Sequence, residues 1–355
     1  MSHVELQHIS KNFPGVTALD DISFDIKDGE FFVLLGPTGA GKTTTLRVIA
    51  GLGQQDGGTV LFDGQPIDDL PPSDRDVALV FQQYSLYPTM SVYDNLAFPL
   101  RSPLRRTSEE EIRKKVEETA EKLRIPHLLK RKTAHLSGGE MQRVSIGRAI
   151  VRSPRIFLMD EPLSNLDAKL REALRIELQH LQKTQASTTL FVTHDQIEAL
   201  TMADRIAILN EGKIMQVGTP EDIYDRPAST FIGQLVGTPR INIYNARRED
   251  GTVFISDSEL RMPVVDGSKL PSEFLMGIRP ENIKPDPNGK FAGQVILTEP
   301  LGAETILHIQ SGQRNLLSLV PGMTANRIGD VIKFNIAFEH IHYFGLNGER
   351  FNPTV

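Results

Sequence analysis

The chain of 355 residues contains no cysteine. Disulfides, thiolate catalysis and zinc–thiolate sites are therefore excluded. The lack of disulfides fits the cytosol. No run approaches the roughly 18 apolar residues of a membrane span, so any role at a membrane must come through a partner chain. The start, Met1-Ser2-His3-Val4-Glu5, has neither a basic segment nor an apolar core, which predicts no secretory leader. Basic residues are not in excess: 39 Lys and Arg face 45 Asp and Glu, a net charge of −6. That balance gives no support to a surface that coats nucleic acid. Internal repeats, low-complexity tracts and sustained heptads are missing too. What remains is ordinary for globular domains, 39% hydrophobic and 24% charged. The length exceeds what one core usually holds, so two domains are expected.

The most informative stretch is Gly36-Pro37-Thr38-Gly39-Ala40-Gly41-Lys42-Thr43. It follows the apolar run Phe31–Leu35 and precedes the helical-looking Thr44–Ala50. Strand, glycine loop and helix are the setting of a phosphate-binding loop. Glycines let the backbone curl without Cβ clashes. The curled amides and the helix N-terminus then aim positive dipoles at a phosphate. Lys42 would reach the β- and γ-phosphates, and the Thr43 hydroxyl would ligate Mg²⁺.

Ile22, Phe24 and Ile26 alternate with polar residues, the period of a half-buried strand. Val60-Leu61-Phe62 before Asp63-Gly64 reads as a strand ending in a turn. The apolar runs 77–81, 156–159, 190–192 and 206–209 suit central parallel strands covered on both faces. Between them, residues about 84–152 look like an inserted helical subdomain. Within it, Ser108 and Glu111 form a capping box opening a helix with Ile112, Val116, Ala120 and Leu123 on one stripe. A second amphipathic helix, carrying Leu170, Leu174, Leu178 and Leu181, follows Asp167. After Gly237-Thr238-Pro239 the texture changes to short strands punctuated by Gly and Pro, at 252–256, 275–278, 294–297, 305–309 and 331–338. This predicts a small β-barrel, with the boundary near residue 236, give or take several residues.

Ile156-Phe157-Leu158-Met159-Asp160-Glu161 is a buried strand ending in two acids. Ligands of open α/β sheets bind beyond the carboxyl ends of strands. Asp160 would hold Mg²⁺ through its water shell, and Glu161 would orient and activate an attacking water. Leu136-Ser137-Gly138-Gly139-Glu140 opens another helix and is a second anion site at a helix N-terminus. By itself it also fits a capped helix start with no ligand. Beside a phosphate loop, the economical reading is a site for a nucleotide held by another subunit.

With those residues in view, the chain resembles the ATP-binding subunits of ABC transporters over residues 1 to about 235. Ser137-Gly138-Gly139-Glu140 resembles the signature motif that separates this family from other phosphate-loop proteins. The resemblance assigns further roles in order along the chain. Gln82 stands as the glutamine that contacts the γ-phosphate and metal and links them to the membrane subunit. Asp167 closes the loop Leu163–Asp167. His194 stands as the switch histidine, and Phe13 as the aromatic that stacks on adenine, although alone it also fits loop packing. Glu140 replaces a frequent Gln and Ala40 a frequent Ser or Cys, neither of which puts function in doubt. The tail segments Met276–Ile283 and Pro300–Thr305 resemble the OB-like regulatory domain of the maltose and glycerol-phosphate importer group.

The expected fold is thus an α/β phosphate-loop domain with antiparallel β and helical subdomains at 1–235, then an all-β OB-like domain at 236–355. The resemblance implies an ATPase using ATP and Mg²⁺ in a head-to-tail homodimer. Each ATP would lie between Gly36, Pro37, Thr38, Gly39, Ala40, Gly41, Lys42, Thr43 and Thr44 of one copy and Ser137, Gly138 and Gly139 of the other. Glu161, His194, Lys42 and Gln82 would be catalytic; Thr43, Gln82 and Asp160 would serve the metal. Implied partners are two integral-membrane permease subunits, docking near Gln82–Phe98, and indirectly an extracytoplasmic solute-binding protein; nucleic acid is not among them. The place would be the cytoplasmic face of the bacterial inner membrane, held peripherally. A sugar, glycoside or sugar-like solute is expected. The alternatives are a polyamine, iron or sulfate importer of the same architecture, a non-transport ABC ATPase, an exporter ATPase, or a regulator whose tail senses a solute.

Overall fold

Val4–Phe13 (β1) and Val16–Ile26 (β2) pair antiparallel, and Ile22, Phe24 and Ile26 fill the buried face of β2. The computed structural model describes residues 2–102, 107–264 and 269–353. Next come Phe31–Leu35 (β3), Lys42–Ala50 (α1), Gly57–Phe62 (β4), Gln65–Pro66 (β5) and Val77–Val80 (β6). Asp63 and Gly64, with φ of 51° and 74°, make the two-residue turn from β4 to β5. Both positive angles are what a tight hairpin turn needs. The sheet order is β2-β1-β4-β5.

The helical insertion holds Val92–Ala97 (α2), Glu109–Lys122 (α3) and Gly138–Ile150 (α4). Of its expected span, residues 103–106 lie outside the described residues. Ser108 caps α3 through the expected box with Glu111, and Ile112, Val116 and Ala120 are buried. Then follow Ile156–Asp160 (β7), Ala168–Gln185 (α5), Thr189–Thr193 (β8), Gln196–Met202 (α6), Arg205–Asn210 (β9) and Lys213–Gly218 (β10). Their sheet runs β10-β9-β3-β8-β7-β6. It is parallel from β9 to β6, with β10 an antiparallel edge. Every residue of β3 and β8 is buried, which is why those strands read as continuous apolar runs. Phe32, Leu34, Leu46, Ile49, Leu158 and Leu190 share one core with Ile9, Leu19 and Ile22. Each such side chain contributes about 1.5–3 kcal/mol by leaving water. In register, Leu35 lies opposite Thr193 and Asp160 opposite Val192. The chain therefore leaves β3, β8 and β7 side by side at one edge of the sheet.

The chain divides into two compact units, Met1–Pro220 and Glu221–Val355. The division falls upstream of residue 236, near which the boundary was expected and where the helix Thr230–Leu235 ends. That helix (α8) and the preceding Pro220–Asp225 (α7) are tied to the second unit by Arg279. Its guanidinium is only 2% exposed and donates to the carbonyls of Gly233, Val236 and Tyr224, with its Cζ 4.0 Å from the Tyr224 ring centre. Tyr224 in turn donates to Glu281 at 2.7 Å. The Met276–Ile283 segment thus owes its arginine and glutamate to this clamp.

The second unit is all β after α8. Asn242–Glu249 (β11), Thr252–Ile255 (β12), Arg261–Pro263 (β13), Glu273–Ile278 (β14), Ile283–Pro285 (β15), Phe291–Pro300 (β16), Glu304–Ser311 (β17), Arg314–Pro321 (β18), Val331–Ile336 (β19) and His342–Phe344 (β20) form two antiparallel sheets. Their orders are β13-β12-β11-β14-β20 and β15-β19-β16-β17-β18. The edges of the second sheet approach each other, Ser318 of β18 donating to the carbonyl of Ile283 at 2.5 Å. The sheet therefore curls toward the expected barrel. Both sheets feed one core that includes Tyr244, Phe274, Val295, Leu307, Leu316 and Phe334. Asn242, 6% exposed, bonds Ile278 of one sheet and Leu317 of the other. Phe338, expected in the last strand, sits in a 3₁₀ turn instead.

His342 is buried with its Nδ1 unpartnered, and burial, aided by the charges of Arg350 and Arg279, pushes its pKa down to about 4. A His whose folded pKa is depressed stabilises the fold fully above the unfolded value near 6.5 and loses that contribution as pH falls toward the folded value. Acidification from pH ~6.5 to ~4 should therefore cost about 3 kcal/mol through this residue. Urea unfolding followed by circular dichroism should show that slope, and His342→Leu should flatten it; an equal slope in the variant would refute the assignment.

Candidate active site

The carboxyl ends of β3, β7 and β8 gather the sequence-predicted groups. Gly36–Gly41 leaves β3 and turns into α1, which starts at Lys42. Gly41 has a φ of 110°, and a Cβ there would run into the Ala18 carbonyl of β2. Only glycine allows that close approach together with that backbone angle. Ala40 is 3% exposed and belongs to the core, so its methyl packs inward. A larger hydroxyl or thiol is not needed on this side of the loop.

Lys42 is 5% exposed, and its Nζ donates to the carbonyls of Gly36 and Pro37, each at 3.0 Å. The same Nζ lies 3.3 Å from Glu161 Oε1. His194 Nδ1 is 3.0 Å from Glu161 Oε2, so the carboxylate is bracketed by an ammonium and an imidazole. Glu161 has a φ of 43°. This left-handed geometry costs an L-residue about 1–2 kcal/mol. It is held from both sides: Glu161 N–H donates to Val192 O at 3.0 Å, and its carbonyl accepts from Ser164 Oγ at 2.9 Å and Ser164 N at 3.2 Å. The turn directs the chain out of β7 just where its side chain faces the loop lysine.

Thr43 Oγ1 donates to Asp160 Oδ1 at 3.0 Å. Burial pushes the Asp160 carboxyl above the usual carboxylate range; the Thr43 hydrogen bond pulls the other way and the neighbouring Glu161 charge adds to the rise. A bound cation would relieve that cost. Thr43 and Asp160 offer oxygen only, the donor chemistry of a hard ion such as Mg²⁺, which keeps several waters and phosphate ligands. Among the described residues no cluster of three or more His, Asp or Glu could hold a metal by itself. Gln82 is exposed and bonds neither Thr43 nor Asp160; its Nε2 donates to Ser164 Oγ at 3.3 Å. It therefore reaches Glu161 through Ser164.

Ser137 caps α4 in a full capping box with Glu140. Ser137 N–H donates to Glu140 Oε2 at 2.8 Å, and Glu140 N–H donates to Ser137 Oγ at 3.4 Å. The bond from the Ser137 backbone holds the Glu140 carboxyl below its usual range. Gly139 is buried, and a Cβ there would enter the Leu170 side chain of α5. Thr44 is half-buried on the first turn of α1. Asp167 caps α5, accepting from Leu170 N at 3.0 Å. Phe13 is 51% exposed at the end of β1 beside the hairpin turn, with Lys11 Nζ 5.5 Å from its ring centre. Ala18, shortly after that turn, is the residue against Gly41. Among the described residues no hydrogen bond or ion pair joins Phe13 or Ser137–Glu140 to Gly36–Thr44.

Sequence reading missed several supports of this site. Arg171 donates to the carbonyls of Ser164 at 3.4 Å and Leu166 at 3.1 Å and lies 3.5 Å from Asp195. One side chain thus ties Leu163–Asp167 to the residue after His194. Thr193 donates to the buried Glu198 at 2.5 Å, accepts from Asp195 N–H at 3.0 Å, and its carbonyl accepts from Gly36 N–H at 3.4 Å. Asp195 and Glu198 had a visible signal, the Asp-x-x-Glu spacing of a helix start. The arginine had none, because its hydrogen bonds go to backbone carbonyls and its carboxylate partner lies 24 residues away.

The family model for ABC transporters matches residues 19–164, and that for the TOBE domain matches residues 276–344. An sn-glycerol-3-phosphate import ATP-binding protein of Psychromonas ingrahamii is 44% identical, across 97% of this chain and 94% of that protein. A trehalose/maltose import ATP-binding protein of Thermococcus litoralis is 43% identical across 97% and 98%. Among solved structures, a dimeric post-hydrolysis ATP-binding cassette bound to ADP and Pi is 32% identical with a TM-score of 0.56, covering 61% of this chain and 98% of that one. The chain belongs to the ABC transporter family, as an ATP-binding subunit of the import type with a C-terminal TOBE domain.

Proposed function

We propose that this ATPase drives uptake of a sugar or sugar-like solute, and that each ATP is held between Gly36–Thr44 of one copy and Ser137–Gly139 of the other. The observation that carries the two-copy site is the separation of its halves within one chain: among the described residues the Ser137 helix start has no hydrogen bond or ion pair to its own phosphate loop. Relatives that import glycerol phosphate and trehalose/maltose support the solute class. The sheet edge that collects Lys42, Asp160, Glu161 and His194 supports the chemistry.

In this mechanism Lys42 exchanges the carbonyls it now holds, and its grip on Glu161, for the β- and γ-phosphates. Glu161, released from the lysine but still oriented by His194, takes the proton of the attacking water. Phosphoryl transfer needs positioning and charge stabilisation, which Lys42, His194 and the partner copy's Ser137 side provide. Thr43 and Asp160 would hold Mg²⁺, which when bound neutralises charge on the phosphates. Gln82, bonded to Ser164, carries the state of Glu161 outward. Phe13 stacks on adenine at the hairpin tip, and Asp167 sets the loop that faces the partner copy.

Two membrane permeases dock beside Gln82–Phe98. A groove of about 310 Å³ there is lined by Phe81, Tyr87, Phe98, Pro99 and Arg148. Phe81, Tyr87 and Phe98 are 38–45% exposed, the apolar surface a short partner helix needs. The subunit would thus sit on the cytoplasmic face of the membrane, and an external binding protein would deliver solute. Deleting the gene should abolish uptake of one carbohydrate class. Wild type should restore it and Lys42→Ala should not, measured with radiolabelled sugar. Restoration by Lys42→Ala would overturn the energising role.

A further inference from the structure

Arg171 stands where helix stability alone would not put a cation. It lies in the first turn of α5, four residues after the Asp167 cap, and that turn holds no acid. The positive end of a helix dipole favours an acid there. The side chain also faces the start of a second helix, with Nη1 3.5 Å from Asp195, the cap of α6. Its Nε is buried without a partner, so one of its five donors goes unused. What the residue gains is a grip on two loops. Nη2 donates to the carbonyls of Ser164 at 3.4 Å and Leu166 at 3.1 Å, while Nη1 faces the Asp195 carboxylate.

These contacts close a ring on Glu161. The Glu161 carbonyl accepts from Ser164 Oγ at 2.9 Å and Ser164 N–H at 3.2 Å, and the carbonyl of Ser164 accepts from Arg171. Asp195, at the far side of the arginine, is fixed in turn: its N–H donates to Thr193 Oγ1 at 3.0 Å, and its carboxylate accepts from Ile197 N–H at 2.8 Å. One residue back along the chain is His194, whose Nδ1 returns to Glu161 Oε2 at 3.0 Å. The His194 side chain is 51% exposed, so little packing holds its ring. The bond from Glu161 N–H to Val192 O fixes the strand ends beneath. Beyond it, the arginine sets how far apart the two loops stand, and that spacing decides whether the imidazole meets the carboxylate.

We propose that Arg171 is a positioning residue for ATP hydrolysis: by holding the loop Leu163–Asp167 against Asp195, it keeps His194 Nδ1 at hydrogen-bond distance from Glu161. The inference rests on the roles given above to Glu161 and His194. Arg171 itself makes no hydrogen bond or ion pair with Gly36–Thr44 among the described residues. Its loss therefore acts on turnover and spares the hold on nucleotide.

The test compares the full wild-type chain with Arg171→Gln, Arg171→Lys and Asp195→Asn. In steady-state ATPase assays Arg171→Gln should lower kcat about tenfold or more, as lost alignment does, with KM for ATP within about twofold. Arg171→Lys keeps the charge that faces Asp195 but not the planar fork, so it should recover part of the rate. The second readout is the nitrogen spectrum of ¹⁵N-histidine-labelled chain at about pH 8, where imidazole is neutral. A carboxylate only accepts, so in the wild type His194 carries its proton on Nδ1. Its signal is the one missing from His194→Ala. Arg171→Gln should turn that signal into a mixture of tautomers. Asp195→Asn should do the same, because Asn caps a helix as well as Asp but cannot pair with the arginine. It breaks the link from the other end, so the proposal is decided even where the Arg171 variants fold poorly. Wild-type kcat in Arg171→Gln, or a slower chain whose His194 signal is unchanged, would overturn the proposal and leave Glu161 and His194 their roles. Wild-type kcat in His194→Ala would overturn it together with the reading on which it rests.

Discussion

In the Glu161→Gln variant, ATP hydrolysis is expected to fall by about 10²–10⁴-fold while ATP binding persists. The amide keeps the size and the left-handed backbone position but cannot accept a proton from water. It also removes the negative charge that lies 3.3 Å from Lys42 Nζ and 3.0 Å from His194 Nδ1. Lys42 then has one acceptor fewer competing with the phosphates, so affinity for ATP should be unchanged or higher. Since in the proposed cycle hydrolysis ends the closed state, the variant should accumulate as an ATP-loaded dimer. Phosphate release and size-exclusion chromatography with ATP read both effects. Normal turnover would show that another group handles the water.

Ser137→Arg separates binding from turnover in the opposite way. Losing the serine cap costs about 1 kcal/mol, too little to unfold a domain of this size. The proposed nucleotide loop, Gly36–Thr44, shares no hydrogen bond with Ser137 among the described residues, so an isolated copy should bind a fluorescent ATP analogue with wild-type affinity. A bulky cation at the helix start would instead block the approach of a second copy. ATPase activity should drop at least about 10²-fold, comparable to losing a transition-state donor. Full activity would contradict a site built from two copies.

Much of the site was legible because its chemistry requires fixed spacings along one stretch of chain. Gly36–Thr43 and Asp160-Glu161 are each local, and the parallel strands that end in them read as continuous apolar runs. The Ser108 and Ser137 caps were legible for the same reason, each pairing with a Glu three residues on. The contacts that were not legible join distant stretches through backbone atoms. Arg171 grips carbonyls at Ser164 and Leu166, and Thr193 bridges Glu198 and Gly36. No pattern of residue types announces such a pairing. In the second unit β11, Asn-Ile-Tyr-Asn-Ala-Arg-Arg-Glu, escaped notice because its buried face begins with Asn242. That polar side chain is satisfied only once β14 and β18 are in place. The helix α8 joins the second unit through Arg279, a tertiary bond that outweighs the change in texture at Gly237.

The absence of cysteine allows the central claim, one ATP gripped by two copies, to be tested by placing two thiols. Thr38, exposed on the loop, and Ser137 are both replaced by Cys in the Glu161→Gln chain, and a short bismaleimide is added with and without ATP. The account predicts an ATP-dependent species of twice the chain mass on denaturing gels, joined from Thr38→Cys of one copy to Ser137→Cys of the other by peptide mapping. A product of single-chain mass, with the two positions linked within one copy, would contradict it.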